Sequence, residues 1–340
     1  MPSGSTNKPS SALRSVVLLA AKLAVTAGLI WWLLAAIDLQ MAASRIAAAN
    51  VGWLLAALLL SAVQIWLMVI RWHLLVRTQI QPFSRREAFH NLLTGLFFNQ
   101  SLPSGIGGDA MRVWLLTRGR PGRGSAAVSV ILSDRAIGLI ALVTIAAIAA
   151  PVLVLGPPGR HLDSNSTVAI SLGLLAAAVV AGYGFLFLVR RLPALGLPGW
   201  SWLMQAYGVV RHVMIASPRA ALFMALAIAA HLMLLLAIAA VAAALDIPVP
   251  LTAILVLTPP AMILATLPVS IAGWGVREAS FVAVLGLVGI TATDATLLGL
   301  GVGLLQLMQG AFGGAVWVAG KRQGTSLATA SPAPRDHLMR

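Results

Sequence analysis

The sequence predicts an all-α polytopic integral membrane protein, with about six full transmembrane helices plus two oppositely oriented re-entrant helical hairpins that form an inverted repeat. Three observations predict it. Of 340 residues, 59% are hydrophobic and only 9% charged, against roughly 25% charged in a soluble domain, and the mean hydropathy is +0.94. Apolar runs long enough to cross a hydrocarbon core of about 30 Å, which takes about 20 helical residues, recur along the whole chain. Two further apolar stretches are broken by Pro, Gly and polar residues, as no ordinary span is.

Residues 1–14 are Ser/Pro/Gly-rich and are expected to be disordered. The membrane region, 15–320, is expected to be one domain. Its full crossings are about 15–37, 51–70, 126–155, 167–189, 220–245 and 295–319. The first is longer than a signal-peptide core and lacks a small-residue cleavage site, so it is read as a retained span. The first broken stretch carries Asn91, Asn99 and Gln100 and stops at Pro103; the second contains Pro259, Pro260 and Pro268, then Gly273, Gly275, Arg277 and Glu278. These set hairpins at about 88–118 and 251–290. The Trp- and Met-rich segment 200–216 reads as an amphipathic helix on the membrane surface, and 321–340 as a disordered tail.

Basic loops are retained on the cytoplasmic side. Lys8, Arg14 and Lys22 place the amino terminus inside, and Lys321 and Arg322 place the carboxyl terminus there too. Arg71, Arg77, Arg85 and Arg86 precede the first broken stretch while Arg112, Arg118, Arg120 and Arg123 follow it, so it must enter and leave on the inner face. For the last span to run inward, the second stretch must begin and end outside. The multi-pass chain is therefore expected in the cytoplasmic membrane.

The hairpin tips align without gaps, Leu102-Pro-Ser-Gly-Ile-Gly-Gly-Asp-Ala-Met-Arg112 against Leu267-Pro-Val-Ser-Ile-Ala-Gly-Trp-Gly-Val-Arg277, and five of eleven positions match. Three crossings separate them, so two copies of one unit would be inserted upside down relative to each other, the arrangement by which many transporters place a substrate site near the bilayer midplane. Pro103 and Pro268 stop the entering helices and the glycines permit tight turns. The returning half-helices then point free N–H groups and a positive dipole end inward. With Arg112 and Arg277 beside them this predicts an anion site, because a guanidinium fork grips phosphate with parallel hydrogen bonds. The expected lipid-phosphate residues are Arg112, Arg277, Asn99, Gly107, Gly108, Asp109, Asp134, Arg135, Gly273, Gly275 and Glu278.

Asp134 and Arg135 lie about ten residues into their span, where ionisable groups are costly and therefore functional candidates; the alternative places the pair at the interface. Asp109 and Glu278 either orient the arginines, move protons or neutralise charge. His231 is read as a helix-to-helix hydrogen-bond partner, and Arg71-Trp72 as interface anchors. The net charge of +14 is dispersed between apolar runs rather than gathered in a stripe, which excludes nucleic acid as a partner. No Cys is present, so there is no thiolate metal site, and no zinc, nucleotide or serine-hydrolase motif occurs. No metal, cofactor or catalytic residue is expected. Asp109 with Asp134 offers a carboxylate pair of the aspartyl type, but Ile-Gly-Gly precedes Asp109 where intramembrane aspartyl proteases carry G-x-G.

Arg71-Trp72, Phe98-Asn-Gln-Ser-Leu-Pro-Ser-Gly-Ile-Gly-Gly-Asp-Ala-Met-Arg112, Ser133-Asp-Arg-Ala-Ile-Gly138 and Leu267-Pro-Val-Ser-Ile-Ala-Gly-Trp-Gly-Val-Arg-Glu278 together resemble the lysylphosphatidylglycerol synthase transmembrane-region proteins, also described as flippase-like, over about residues 15–320. In the fused synthases a soluble domain transfers an amino acid from aminoacyl-tRNA to phosphatidylglycerol. Only eighteen residues follow Arg322, so a stand-alone form without that domain is expected. The resemblance implies a lipid flippase that moves an anionic phospholipid, aminoacylated or not, or a polyprenyl-phosphate-linked lipid between leaflets. The alternatives are a membrane subunit of a lipid-modifying synthase, working with a separate soluble transferase, and a non-transporting lipid-binding scaffold. The expected partners are the lipid itself, that transferase in the alternative, and a second copy of the chain.

Overall fold

A computed structural model describes residues 11–102, 107–155, 217–266 and 269–329, with isolated positions at 208, 211 and 212. Ten helices and no strand occur among the described residues. They are α1 (Ser11–Ala36), α2 (Leu39–Ala47), α3 (Val51–Val76), α4 (Arg85–Ser101), α5 (Gly107–Thr117), α6 (Gly124–Leu155), α7 (Ala220–Ala244), α8 (Leu251–Ala265), α9 (Val276–Gly286) and α10 (Ala292–Thr329). Four are long and apolar enough to cross a membrane: α3, α6, α7 and α10 as far as Gly320. They correspond to the expected spans 51–70, 126–155, 220–245 and 295–319. The chain is thus a multi-pass membrane protein.

The other expectations divide. The span 15–37 appears as α1, which bends by 89° into α2. The bend is set locally, because the Asp38 carboxylate accepts hydrogen bonds from the backbone N–H of Gln40 and Met41 and so starts a new helix. The expected span 167–189 and almost all of the surface helix 200–216 lie outside the described residues. Helix also extends into both expected irregular ends, from Ser11 and on to Thr329. Once a helix is nucleated each further residue adds a hydrogen bond at little cost.

Two membrane faces follow from the ends of the helices. One gathers Arg77, Arg85, Arg86, Arg118, Arg120 and Arg123, where α3 ends, α4 begins, α5 ends and α6 begins; we call it the basic face. The opposite face holds α2, whose Arg45 pairs with Asp246 beyond α7 at 3.0 Å and with Asp294 at the start of α10 at 3.5 Å. There the Asn50 N–H also donates to the Ala244 carbonyl, fixing α3 and α7 as antiparallel neighbours.

Helices α4 and α5, of 17 and 11 residues, are shorter than a crossing needs. A capping box launches α4: Ser84 Oγ accepts from the Glu87 N–H and the Glu87 carboxylate accepts from the Ser84 N–H. It runs against the second half of α10, where a Cβ on Gly313 would strike the Leu93 carbonyl, one on Gly314 the Phe97 ring and one on Gly310 the side chain of Gln100. Small residues that let backbones approach are how helices associate without a hydrophobic drive in lipid. Helix α5 returns to the basic face.

Helices α8 and α9 form the second hairpin, on the opposite face. Pro259 and Pro260 do not interrupt it, contrary to the sequence reading: α8 runs through both. Proline is tolerated in membrane helices more readily than in soluble ones; beside the pair, Thr258 Oγ1 donates to the Ile254 carbonyl of its own helix at 2.6 Å. The turn before α9 has positive φ at Ala272, Gly273 and Gly275, a conformation that delays the returning helix to Val276. In the first hairpin the returning helix begins at Gly107, which aligns with Ala272. The two tips therefore share a sequence pattern, but their returning helices start at different aligned positions.

Candidate functional site

The first hairpin delivers Asp109 and Arg112 from α5 to a point where α3 supplies Arg71 and Trp72, and α6 supplies Asp134 and Arg135. Asp134 is 6% exposed and so lies inside the protein. Its two oxygens lie 2.9 Å from Arg71 Nη2 and 3.1 Å from Arg112 Nη2. Asp109 pairs with Arg112 at 3.3 Å and, in a tighter contact of 2.7 Å, with Arg135. Arg112 thus stands between the two carboxylates, and each is matched to guanidinium rather than to the other, unlike an aspartyl catalytic pair. Three guanidinium groups and two carboxylates leave the cluster one net positive charge.

Arg112 is fixed on every side. Its Cζ lies 3.7 Å from the centroid of the Trp72 ring, a stacking arrangement favoured in dry surroundings. Trp72 Nε1 donates to Asn91 Oδ1 at 2.9 Å, and Asn91 Nδ2 donates to the Arg112 carbonyl at 3.0 Å. A Cβ on Gly95 would meet the Arg112 side chain at 2.6 Å, so α4 must be bare there for the arginine to pass.

The partnering is nevertheless incomplete. Nε and Nη1 of Arg71 and Nε of Arg112 are buried without a hydrogen-bond partner, and Arg71 as a whole is 3% exposed. Its contact with Asp134 is an ion pair by proximity without the alignment of a hydrogen bond, since Asp134 Oδ1 has no such bond either. Unmet buried donors each cost about 1–3 kcal/mol. All three belong to the one ion-paired cluster around Asp134.

Around the second tip, Arg277 and Glu278 are each 1% exposed and joined at 2.8 Å. Arg277 also donates to the Gly299 carbonyl at 3.0 Å and to Gln306 Oε1 at 3.1 Å on α10, and lies 4.7 Å from the Trp274 ring. Here charge is balanced, and Glu278 neutralises its arginine as one reading of the sequence expects.

The residues expected to cradle phosphate therefore separate into two groups. Asn99, Gly107, Gly108, Asp109, Arg112, Asp134 and Arg135 come together at the first hairpin; Gly273, Gly275, Arg277 and Glu278 come together at the second. Among the described residues no hydrogen bond or ion pair links the groups. Several of the backbone donors expected to be free are taken: the Gly108 N–H donates to Asn99 Oδ1 at 3.0 Å, the Gly275 N–H to Glu278 Oε2 at 2.6 Å, and the Ile271 N–H to Thr26 Oγ1 of α1 at 3.1 Å. Pro103 and Pro268 lie outside the described residues. His231, expected to bond from helix to helix, instead bonds within its own helix, Nδ1 to the Ala227 carbonyl at 2.8 Å, with its ring against Gly138 of α6. Sequence reasoning missed Arg71. It reads as an interface anchor because the apolar window of its span ends at residue 70, whereas α3 continues to Val76 and draws Arg71 inside.

The family model described as the lysylphosphatidylglycerol synthase TM region matches residues 19–313. No curated protein matches the chain. The matched stretch takes in both hairpins, both arginine clusters and every one of the four long apolar helices except the last residues of α10. This multi-pass membrane protein of lipid metabolism or transport belongs to the lysylphosphatidylglycerol synthase TM region family.

Proposed function

We propose that the protein is a flippase of the cytoplasmic membrane that captures the phosphate of an anionic phospholipid or polyprenyl-phosphate-linked lipid at the Arg71–Arg112–Arg135 cluster and passes its headgroup between leaflets. The observation that carries this reading is the set of three buried guanidinium nitrogens without acceptors in a cluster of net charge plus one. A phosphate oxygen supplies the missing acceptor through charge-assisted hydrogen bonds. Bound there, it also brings the local charge toward zero, where hydrocarbon tolerates it best. The side chain of Arg135 is 41% exposed while Arg71 is buried, so the cluster offers an outer cation to receive a headgroup and an inner one to hold it.

Hairpins entering from opposite faces support transport over simple binding, because each leaflet then has its own broken helix and its own arginine. The basic face is the cytoplasmic one in this reading. The test is reconstitution in sealed vesicles containing a headgroup-labelled anionic phospholipid, following the fraction that a membrane-impermeant quencher reaches over time. Wild-type protein should move the lipid well above protein-free vesicles, and R71Q, which keeps a polar donor but removes the charge and shortens the side chain, should slow it at least tenfold. A wild-type rate equal to the protein-free rate, or an R71Q rate equal to wild type, overturns the proposal.

A further inference from the structure

Between the two arginine clusters the interior is not purely apolar. Helix α10 crosses from Ala292 to Gly320, so its midpoint falls at Gln306. Gln306 accepts the hydrogen bond from Arg277 Nη1 of the second hairpin. Three residues on, Gln309 Nε2 donates to Gln64 Oε1 at 3.4 Å, and Gln64 is the central residue of α3, which runs from Val51 to Val76. At the next position, Gly310, the side chain of Gln100 from the tip of the first hairpin lies close enough that a Cβ would meet it at 2.8 Å. Beside Gln100, Asn99 caps Gly108 at the start of the helix that carries Arg112.

Residues three and four apart share one helix face, so Gln306, Gln309 and Gly310 look the same way and span about 6 Å of axis at 1.5 Å per residue. Over that interval α10 changes partner. Before it, Gly299 and Gly303 face Glu278 and Arg277; after it, Gly310, Gly313 and Gly314 face α4. Uncharged amides from three helices therefore bridge the level at which one hairpin hands over to the other. Gln64, Gln100, Gln306 and Gln309 are all half-buried rather than sealed. The depth is the least favourable in a bilayer for a polar side chain, and the long 3.4 Å contact between Gln64 and Gln309, with a 3.9 Å bond from Gln64 Nε2 to Met68 Sδ, is weak compensation for two amides placed there.

We infer that Gln64, Gln306 and Gln309 form the midplane path along which the headgroup passes between the arginine clusters, and that the substrate class is an anionic phosphate whose headgroup also carries hydroxyls. This inference rests on the flippase reading. Each glutamine offers two donors and an acceptor without net charge. The amide N–H groups replace water around phosphate oxygens and the amide oxygens accept from headgroup hydroxyls. A neutral seam of this kind can release what it binds, whereas a third arginine at the midpoint would trap the phosphate.

The experiment compares wild type with Q64M/Q309M, in which unbranched thioether side chains of similar length replace both amides. Removing both partners of a hydrogen bond together is close to neutral for stability, so the pair should unfold at the wild-type temperature or above. Two fluorescent probes of equal phosphate charge are followed, phosphatidylinositol with hydroxyls and phosphatidylmethanol without. Wild type should move phosphatidylinositol at least fivefold faster, and Q64M/Q309M should lose that preference and at least tenfold of its rate while native mass spectrometry shows as much anionic lipid retained as on wild type. Should the double variant fail to fold, Q309M alone is read in the same way, with at least a threefold loss of preference expected. Unchanged rate and preference in a folded variant overturn the path and leave the flippase reading standing. A wild-type protein that moves neither lipid overturns both.

Discussion

Replacing Asp134 by Asn removes one carboxylate from between two guanidinium groups, at 2.9 and 3.1 Å, in a site where Arg71, Arg112 and Asp134 are all at least nine-tenths buried. The local charge then rises from plus one to plus two, with only Asp109 left to balance three arginines. Breaking a buried ion pair by deleting one partner costs about 3–5 kcal/mol, because the charge left behind has no water to return to. At 1.4 kcal/mol per tenfold, that is a change of roughly two to three and a half orders of magnitude in the folding equilibrium. The assay is denaturant unfolding in detergent, followed through the ten tryptophans. The second arm is D134N/R71M, which removes one charge of each sign and returns the cluster to plus one. It should recover at least half of the loss, a coupling of the size expected for groups in direct contact. A D134N protein within about 1 kcal/mol of wild type, or a double variant no better than the single one, would refute the assignment of Asp134 as the counter-ion that holds Arg71 and Arg112 in the membrane.

Three further outcomes are expected. W72F leaves Asn91 Oδ1 without its donor and weakens the stack under Arg112, so it should cost about 1–3 kcal/mol by the same unfolding assay. G313A pushes α4 off α10 and should cost about 1–3 kcal/mol, whereas G28A, with open space around its Cβ, should be neutral or stabilise by up to about 1 kcal/mol. At the basic face, burial pushes the Glu87 carboxyl up, but the Ser84 N–H and the Arg120 guanidinium more than offset it and hold the group below its ordinary value. A group depressed on folding stabilises above its unfolded value and loses that contribution as pH falls through the folded one. Wild type should therefore lose stability from about pH 5 downward relative to E87Q; parallel pH profiles for the two proteins would contradict this.

The hairpins were legible in the sequence because their causes are local: Pro and Gly stop helices, and basic flanks on both sides of a short apolar stretch forbid a crossing. The gathering of Asp109, Arg112, Asp134 and Arg135 followed from charge inside apolar runs. What escaped did so for physical reasons. Hydropathy ends at a charge, so Arg71 marked the end of a span when the helix continued past it to Val76. The same averaging hid Gln64, Gln306 and Gln309, isolated amides in otherwise apolar windows. Pro259 and Pro260 read as breaks because the rule for water-soluble helices was applied to a membrane helix, which runs through both. The use of Asn99 and Glu278 to cap their own hairpins depends on side-chain reach across a turn, which residue type alone does not fix.

The arrangement of two hairpins entering from opposite faces is tested most directly by single-thiol accessibility, since the chain contains no Cys and any introduced one is unique. Exposed positions flanking each hairpin, Arg85 and Arg118 for the first and Leu251 and Thr291 for the second, are replaced one at a time by Cys and treated with an impermeant reagent on sealed vesicles of known orientation. Arg85→Cys and Arg118→Cys should react from one side, and Leu251→Cys and Thr291→Cys from the other. If the two flanks of either hairpin react from opposite sides, that hairpin is a crossing, and the paired arginine clusters cannot serve opposite leaflets.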